Sequence, residues 1–317
     1  MTKAMRAVAI DRFGGPKVLV MHDLPIPKIS PQEVLIAVDT AGVGGWDARA
    51  REGKWADDDT FPKILGVDGS GVVKEVGAQV KRFKRGDLVY AYSYGNEKGG
   101  FYAEYVAVAA SNAARKPKRL DMVEAGALGT IGLTALQGVD DALEIEPGEN
   151  VIVHGASGNV GMLALQFAKR RGASVLATAS GRDGIKLVQR LGADEAIDGK
   201  RADIIKATRA LAPDGVDAVL AFAGGKELTR CLDALRKGGR AAYPNGVEPE
   251  PRKRKGIRIK SYDAVPGVRE FERLERAIDE SKLEIPIAAT FNMKDARAAH
   301  RLIEKGHVLG KVVLRIG

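Results

Sequence analysis

A glycine-rich turn limits the fold of this chain more than any other segment. Positions 154–161 read His-Gly-Ala-Ser-Gly-Asn-Val-Gly, and the apolar run Val151–His154 leads into them. From Val160 to Ala168, apolar residues then recur every three or four positions, which is typical of an amphipathic helix. A strand that turns this tightly into a helix is half of a βαβ unit, so the turn predicts a parallel sheet.

The same turn predicts a dinucleotide-binding site, because Ala156, Gly158 and Gly161 fit the pattern Ala-x-Gly-x-x-Gly. In this pattern the middle glycine lets the backbone approach a pyrophosphate, and the last one lets the helix pack close to the strand. Free N–H groups at the helix start then face the phosphates. We predict phosphate contacts from Gly155, Ala156, Ser157, Gly158, Asn159, Val160 and Gly161. The alternative is an ordinary strand–helix turn without a ligand.

The end of the next predicted strand indicates which nicotinamide coenzyme binds. An NAD site has an acidic residue there that holds the ribose 2′-hydroxyl. In this chain the strand ends in Ser180, followed by Gly181 and Arg182, and the acid Asp183 comes three positions later. A hydroxyl and a guanidinium suit a 2′-phosphate, since arginine pairs with phosphate in bidentate fashion. The sequence therefore favours NADPH over NADH.

The chain divides into two kinds of region. Up to about residue 120, short predicted strands are separated by Gly and Pro turns, which indicates a barrel-like all-β region. From Asn150 onward, predicted strands and helices alternate, which predicts a doubly wound parallel sheet with helices on both faces. The predicted fold class is therefore α/β.

Composition excludes several classes of protein. Hydrophobic residues make up 45% and charged residues 29% of the chain, which excludes a disordered or collagen-like protein. The only cysteine, Cys231, cannot form an intrachain disulfide and favours a reducing compartment. We see neither a signal peptide nor the ~18 consecutive apolar residues of a membrane span, so we expect a cytoplasmic protein without a membrane. The net charge of +9 suits either nucleic acid or an anionic coenzyme.

An ordered series of short motifs identifies a family. These motifs are Gly14–Leu19, Phe61–Val73, Phe83–Tyr90, Gly100–Tyr105, Gly132–Ala135, Gly155–Gly161, Leu191–Asp194 and Gly306–Val313. Through them nearly the whole chain resembles the zinc-independent quinone oxidoreductases (zeta-crystallin-like) of the medium-chain dehydrogenase/reductase superfamily. The resemblance implies a GroES-like β-barrel catalytic domain from residues 1–122 and 266–317, with a Rossmann NADP-binding domain, 123–265, inserted. It also implies a homodimer and hydride transfer from NADPH to a quinone or an α,β-unsaturated carbonyl.

The resemblance also bears on zinc. Zinc-containing members of the superfamily have a His-Glu pair where this chain has Val67 and Asp68. A catalytic zinc needs about three N, S or O ligands from the protein. The predicted barrel has no cysteine and only His22 near the site, so we predict a protein without a metal.

The sequence departs from the family at the predicted substrate end. The family stretch Gly-Val-Asn-Pro-x-Asp corresponds to positions 42–47, where Gly44 replaces the asparagine and Asp47 is kept. Trp55 stands where relatives often have a tyrosine. We expect Trp46 and Trp55 to line a flat pocket for planar substrates, in which case Trp55→Ala changes quinone and enone kinetics. Asp47 is either catalytic or a structural turn cap, and Tyr92 or Tyr94 is a candidate proton donor.

The same matching extends the predicted coenzyme site. Additional contacts come from one predicted helix and from the carboxyl ends of two strands, which face the ligand crevice in such sheets. These residues are Thr130, Thr134, Ala223, Gly224, Tyr243 and Asn245. Relatives have a lysine at the position of Gly184, so Arg182, with Lys186, has to supply the cation for the 2′-phosphate.

Several conspicuous residues have ordinary interpretations. Cys231 lies among leucines at helical spacing, which predicts a buried core thiol. His154 is expected to be structural, and His300 is expected to be exposed on the polar side of its helix. The basic run Arg252–Lys255 is one short segment in a Pro-rich loop, so a nucleic-acid partner is not expected.

The leading hypothesis is a metal-free, NADPH-dependent reductase of quinones or α,β-unsaturated carbonyls. An enoyl-thioester reductase of the same superfamily is the alternative enzyme. A non-enzymatic, crystallin-like protein that binds a nucleotide or RNA is the alternative outside enzymes.

Overall fold

A computed structural model describes residues 4–54 and 60–317 of the chain. Its strands are β1 (Ala4–Ile10), β2 (Leu19–Pro25), β3 (Glu33–Val43), β4 (Lys63–Ile64), β5 (Asp68–Val76), β6 (Leu88–Tyr92), β7 (Tyr105–Ala109), β8 (Ala113–Arg115), β9 (Asn150–His154), β10 (Ser174–Ala179), β11 (Glu195–Asp198), β12 (Val216–Ala221), β13 (Leu235–Pro244), β14 (Arg258–Tyr262), β15 (Ile287–Asn292) and β16 (Lys311–Arg315). Its α-helices are α1 (Gly45–Arg51), α2 (Met122–Gln137), α3 (Gly161–Arg170), α4 (Gly181–Arg190), α5 (Ile204–Leu211), α6 (Lys226–Asp233), α7 (Val268–Glu280) and α8 (Ala296–Lys305).

The chain folds into two compact units, and the polypeptide passes from the first to the second within α2. Unit 1 comprises Met1–Thr130, Pro266–Asp279 and Ile285–Gly317. Unit 2 comprises Ile131–Val265 and Glu280–Glu284. The C-terminal part of the chain thus returns to the unit in which the chain begins.

Unit 1 is built on β-sheets, as the short strands predicted. Over the described residues, its larger sheet has the order β15-β16-β3-β5-β6-β8, with β7 also paired to β3, and a smaller sheet has the order β2-β1-β4. Buried side chains from several strands, among them Ile36, Val73, Val89 and Leu314, form one hydrophobic core. Within the larger sheet, β16 and β5 pair antiparallel with the two sides of β3, which brings their side chains close together.

Unit 2 is a doubly wound α/β unit, which confirms the predicted parallel sheet. Over the described residues, its strands lie in the order β11-β10-β9-β12-β13-β14, and all neighbours are parallel. Numbered within the unit, this is the order 3-2-1-4-5-6 of dinucleotide-binding folds. The strand order reverses between β9 and β12, so the carboxyl ends of these two strands flank the crevice where such folds bind ligands.

One helical segment combines length with an apolar composition. Met122–Ala142 is long and apolar enough to cross a membrane by those two measures, although the sequence shows no unbroken apolar run of that length. Most of this segment is buried inside the protein. Such burial is equally typical of the central helix of a folded core.

Candidate functional site

The glycine-rich turn lies at the carboxyl end of β9 and is fastened to the neighbouring strand β10. Gly155 has a φ of +76°, a left-handed conformation that favours glycine. Its N–H donates to Oγ1 of Thr178 over 3.1 Å, and the N–H of Ala156 donates to the Thr178 carbonyl over 2.9 Å. The turn is therefore held in shape by β10, before any ligand binds.

Two glycines of the turn are needed for different reasons. A Cβ on Gly161 would lie 2.3 Å from the Gly155 carbonyl oxygen, so this position has no room for a side chain. A Cβ on Gly158 would meet only that same oxygen, at 3.3 Å. The fold thus nearly tolerates a side chain at Gly158, and its absence leaves an open cradle at the start of α3. This cradle fits a pyrophosphate, which has to approach the backbone closely.

The other predicted phosphate contacts differ in exposure. Ala156, Ser157 and Val160 are buried, whereas Asn159 is half-buried. Oδ1 of Asn159 accepts the Val160 N–H over 2.8 Å, so this side chain shapes the helix start. Oγ of Ser157 accepts the N–H of Ser180 over 3.3 Å. Ser157 therefore links the phosphate turn to the end of β10, where the coenzyme type was predicted to be read.

His154 is buried at the end of β9, which agrees with its predicted structural role. Its Nδ1 lies 2.8 Å from Oγ1 of Thr178, the same hydroxyl that accepts the Gly155 N–H. Burial lowers the pKa of His154 to about 4, against a smaller opposing effect of Glu227. The ring is therefore neutral at physiological pH.

This histidine should make stability fall in mild acid. The unfolded chain protonates His154 below its ordinary pKa of 6.5, whereas the folded chain does so only near pH 4. Unfolding therefore takes up a proton in this window, and the unfolding free energy should drop by up to about 1.4 kcal/mol per pH unit as pH falls. Urea denaturation between pH 7 and pH 4.5 should show a shallower pH dependence for His154→Gln than for the wild type. Equal slopes in the two proteins would contradict this prediction.

The region predicted to read the coenzyme type is exposed and contains one acid that the sequence reasoning missed. Ser180 precedes the first turn of α4, and both Ser180 and Arg182 are exposed. Oδ2 of Asp198, at the end of β11, accepts the N–H of Gly181 over 3.2 Å. Its Oδ1 accepts the N–H of Lys200 over 3.0 Å. Asp198 was missed because it is the last residue of a four-residue strand, which is too short to give a periodic signal.

The remaining predicted contacts of unit 2 lie at strand ends or on α2. Ala223 and Gly224 follow β12, and a Cβ on Gly224 would lie 2.5 Å from the Glu248 carbonyl oxygen. Tyr243 is buried near the end of β13, and the amide of Asn245 donates to Asp263 over 2.6 Å. The carbonyl of Thr134 accepts the Tyr262 hydroxyl over 2.9 Å.

Unit 1 contains a fully buried ion pair that the sequence reasoning did not single out. Nζ of Lys311 on β16 lies 3.5 Å from Oδ2 of Asp68 on β5, and both side chains are 0% exposed. The same ammonium lies 4.5 Å from the centroid of the Trp46 ring. Oδ2 of Asp68 also accepts the Thr130 N–H over 3.0 Å. Within the described part of the chain, Oδ1 of Asp68 and Nε1 of Trp46 are buried without a hydrogen-bond partner.

Two glycines make room for this cluster, which we call the Lys311 cluster (Lys311, Asp68 and Trp46). A Cβ on Gly42 would lie 2.3 Å from Oδ1 of Asp68. A Cβ on Gly44 would lie 2.3 Å from the Trp46 ring. The space beside Gly44, where relatives have an asparagine side chain, is thus occupied by the indole.

Asp47 caps the first turn of α1. Its Oδ2 accepts the Gly44 N–H over 2.8 Å, and its carboxyl group also accepts hydrogen bonds from the Gly66 N–H and the Tyr102 hydroxyl. Burial raises the pKa of Asp47 to about 7, helped by Asp68 and opposed by the Gly44 N–H and by Lys311. This geometry is that of the structural turn cap.

The two candidate proton donors, Tyr92 and Tyr94, differ in exposure. Tyr92 ends β6, pairs in register with Asp68 and is nearly buried, whereas Tyr94 is 55% exposed. Trp55 lies outside the described residues. Among the described residues, no group of three or more His, Cys, Asp or Glu side chains is arranged to hold a metal ion.

Cys231, His300 and the Arg252–Lys255 run have different surroundings. Cys231 is completely buried, and burial raises its pKa to about 12, which confirms a core thiol. The prediction of an exposed His300 is wrong, since this ring is 0% exposed against Arg51. In the Arg252–Lys255 loop, Arg254 is bonded to the Asp233 carboxylate while the other three residues are exposed.

Both units of the chain match known protein families. The GroES-like domain model of alcohol dehydrogenases matches residues 30–118, and the zinc-binding dehydrogenase model matches residues 191–314. The quinone oxidoreductase of Rattus norvegicus is 31% identical over 98% of each chain. The chloroplastic NADPH-dependent alkenal/one oxidoreductase of Arabidopsis thaliana is 32% identical over 98% of this chain and 80% of the relative.

Solved structures of related proteins also match both units of the chain. An NAD-dependent alcohol dehydrogenase superposes with a TM-score of 0.92 at 33% identity, covering 99% of this chain and 100% of the other. With the near full-length match to a quinone oxidoreductase, this likeness covers the β-rich unit and the parallel-sheet unit alike. The chain therefore belongs to the quinone oxidoreductase family of the medium-chain dehydrogenase/reductase superfamily of oxidoreductases.

Proposed function

We propose that this protein is an NADPH-dependent, zinc-independent reductase of quinones or α,β-unsaturated carbonyls. The observation that carries the proposal is the open cradle at Gly158, at the start of α3, in a chain related to quinone and alkenal reductases. When bound, NADPH supplies the hydride. The phosphate turn and the carboxyl ends of β9 and β12 are the parts of unit 2 that would hold it.

The choice of NADPH rests on the exposed end of β10. Ser180 and Arg182 offer a hydroxyl and a guanidinium to a 2′-phosphate. Both carboxylate oxygens of Asp198 already accept backbone N–H groups, so this acid is engaged in holding the loop. The Arabidopsis thaliana relative is named for NADPH, whereas the similar alcohol dehydrogenase structure is named for NAD, so the choice calls for a direct test.

Arg182→Ala should weaken the use of NADPH much more than the use of NADH. The loss of a charge-assisted pair with phosphate, about 1.5–3 kcal/mol, corresponds to a rise in the KM for NADPH of about 10- to 100-fold. Steady-state kinetics with both coenzymes measure this effect. Arg190→Ala, at the other end of α4, is the matched control and should change neither KM. A wild-type preference for NADH would overturn the assignment.

Zinc independence rests on the charge of the Lys311 cluster. Asp68 stands where zinc-containing relatives have the glutamate of a His-Glu pair, and it faces the buried ammonium of Lys311. A cation at this place would meet a like charge in a poorly solvated environment. Quinones and enones need no metal, because hydrogen bonds and positioning stabilise their delocalised product anions. In unit 1, the indole ring of Trp46 supplies a flat surface for such a planar substrate.

One experiment separates the candidate functions. NADPH oxidation is followed with 1,4-benzoquinone, an enone and a crotonyl thioester, before and after dialysis against a chelator. Turnover of the quinone or the enone that survives the chelator supports the proposal. Preferred turnover of the thioester favours an enoyl-thioester reductase. No turnover, together with RNA binding that weakens steeply with salt, favours the non-enzymatic alternative.

We also propose a cytoplasmic homodimer. The single cysteine suits a reducing compartment, and the dimer rests on the resemblance to quinone oxidoreductases. Light scattering after gel filtration measures the mass in solution, and a mass near that of one 33.8-kDa chain would exclude the dimer.

A further inference from the structure

A second buried network in unit 1 connects the two helices α1 and α8. Arg51, the last residue of α1, is completely buried, and its Nη1 lies 2.9 Å from Nδ1 of His300 on α8. Its Nε donates to the Gly14 carbonyl over 2.8 Å, and its Nη2 bonds to the carboxylates of Glu52 and Glu304. On the other side of the ring, Nε2 of His300 lies 3.2 Å from the Tyr102 hydroxyl.

The chemistry of arginine fixes the direction of every hydrogen bond in this network. A guanidinium only donates, so Nδ1 of His300 accepts from Arg51. Burial and Arg51 lower the pKa of His300 to about 3, which keeps the ring neutral and its proton on Nε2. Nε2 then donates to the Tyr102 oxygen, and the Tyr102 hydroxyl donates to Asp47. The chain therefore runs from Arg51 through His300 and Tyr102 to Asp47.

The chain ends on the carboxylate that organises the turn before α1. Asp47 accepts the Gly44 N–H as well as the Tyr102 hydroxyl, and Gly44 packs directly against the Trp46 ring. A Cβ on Gly66 would lie 2.5 Å from the Tyr102 ring, so this glycine lets the tyrosine reach the carboxylate. The series of contacts that begins at Trp46 thus reaches a histidine that lies 254 residues later in the sequence.

The same chemistry argues against a proton relay. A relay has to release a proton at one end and take up another, and a guanidinium does not release its proton at accessible pH. The carboxylates of Glu52 and Glu304 also form ion pairs with Arg51 and thereby stabilise its positive charge. A chain with fixed donors and acceptors orients groups, and does not carry protons.

We propose that Arg51, His300 and Tyr102 are positioning residues that hold the Asp47 carboxylate, and through it the turn from Gly44 to Trp46, in a single geometry for the substrate. The proposal rests on the proposed function only in placing Trp46 against the substrate. The direction of the hydrogen bonds and the position of Trp46 can be measured without turnover.

The first test is the tautomer of His300 in the full-length protein. The protein is labelled with ¹⁵N-histidine, and comparison with His300→Gln identifies the His300 signals. We expect a neutral ring with its proton on Nε2 that does not titrate between about pH 8 and pH 5, where an ordinary histidine does. A proton on Nδ1, or titration in this range, overturns the proposal.

The second test measures the consequence for Trp46. In a Trp55→Phe background, Trp46 is the only tryptophan, so its emission reports on its surroundings. His300→Leu removes both hydrogen bonds, whereas His300→Gln keeps one acceptor and one donor. We expect His300→Leu to shift the emission and to lower kcat/KM by about 10- to 100-fold, mainly through kcat, because a small misplacement is enough for such a loss. His300→Gln should restore most of both.

Two further variants serve as a fallback and as a control for the Trp46 test. If His300→Leu does not fold, Tyr102→Phe removes only the hydroxyl that Asp47 accepts and should shift both readouts in the same direction. His307→Asn, at an exposed histidine with a φ of +54°, is the control and should change neither. Folded variants with unchanged emission and kcat overturn the proposal. If the wild type reduces no quinone or enone, the proposed function fails, while the tautomer and the emission still decide the hydrogen-bonded chain.

Discussion

Gly158→Ala is expected to weaken NADPH binding strongly and to leave the fold nearly unchanged. The added methyl group would meet only one protein atom, at 3.3 Å, so the turn can accept it after a small adjustment. It would, however, stand in the cradle where the pyrophosphate approaches the backbone. Losing one charge-assisted hydrogen bond to the phosphates costs about 1.5–3 kcal/mol, which is about 10- to 100-fold in Kd. Coenzyme titration by fluorescence and thermal unfolding of the free protein measure the two effects.

Two matched variants separate this effect from a general effect of alanine. At Gly161 the new methyl group would lie 2.3 Å from the Gly155 carbonyl oxygen, so Gly161→Ala should also destabilise the free protein, by about 1–3 kcal/mol. At Gly15 the methyl group would meet nothing within 4 Å, so Gly15→Ala should change neither measurement. If Gly158→Ala binds NADPH as tightly as the wild type, the turn does not hold the phosphates.

The phosphate turn and the architecture of unit 2 could be predicted because their signals are local. A strand, a glycine pattern and an amphipathic helix follow one another within about twenty residues, and each constrains the next. The elements that were missed are short or polar, such as β11, α5 and β14. The leucines at helical spacing around Cys231 do not show where their helix ends, because α6 ends at Asp233 and Leu235 already belongs to β13.

The buried charges of unit 1 could not be predicted, because the partners lie far apart in the sequence. Asp68 and Lys311 are separated by 243 positions, and Arg51 and His300 by 249. Local periodicity places His300 on the polar side of α8, and that side is buried here only because Arg51 and Tyr102 occupy it. A polar residue on a helix is exposed by default, and only the tertiary fold shows when it has a buried partner.

The Lys311 cluster illustrates how such a pair differs from surface charges. Lys311 is completely buried, so the ammonium and the Asp68 carboxylate have both lost their hydration. In return, Asp68 accepts the Thr130 N–H and faces Lys311, whose ammonium lies over the Trp46 ring. Each partner is tolerated in the core because the other is present. Removing one of them leaves an uncompensated buried charge.

Lys311→Met should therefore be among the most destabilising single substitutions in unit 1. Methionine keeps the length of the side chain and its contact with Trp46, so the loss is electrostatic. Breaking a buried pair by removing one partner costs about 3–5 kcal/mol of unfolding free energy. Urea denaturation measures it, with Lys74→Met as the control, because Lys74 is an exposed lysine on the same strand as Asp68.

A double-mutant cycle decides whether the cost comes from the unpaired carboxylate. Asp68→Asn keeps an oxygen for the Thr130 N–H and removes the charge. Combined with Lys311→Met, it should recover a large part of the lost stability, since neither buried charge then remains. The cycle should give a coupling free energy of about 1–3 kcal/mol. Two outcomes would contradict this: Lys311→Met costs no more stability than Lys74→Met, or the effects of Lys311→Met and Asp68→Asn are simply additive. In either case Lys311 does not stabilise the Asp68 carboxylate. The electrostatic argument against a cation beside Asp68 then fails as well.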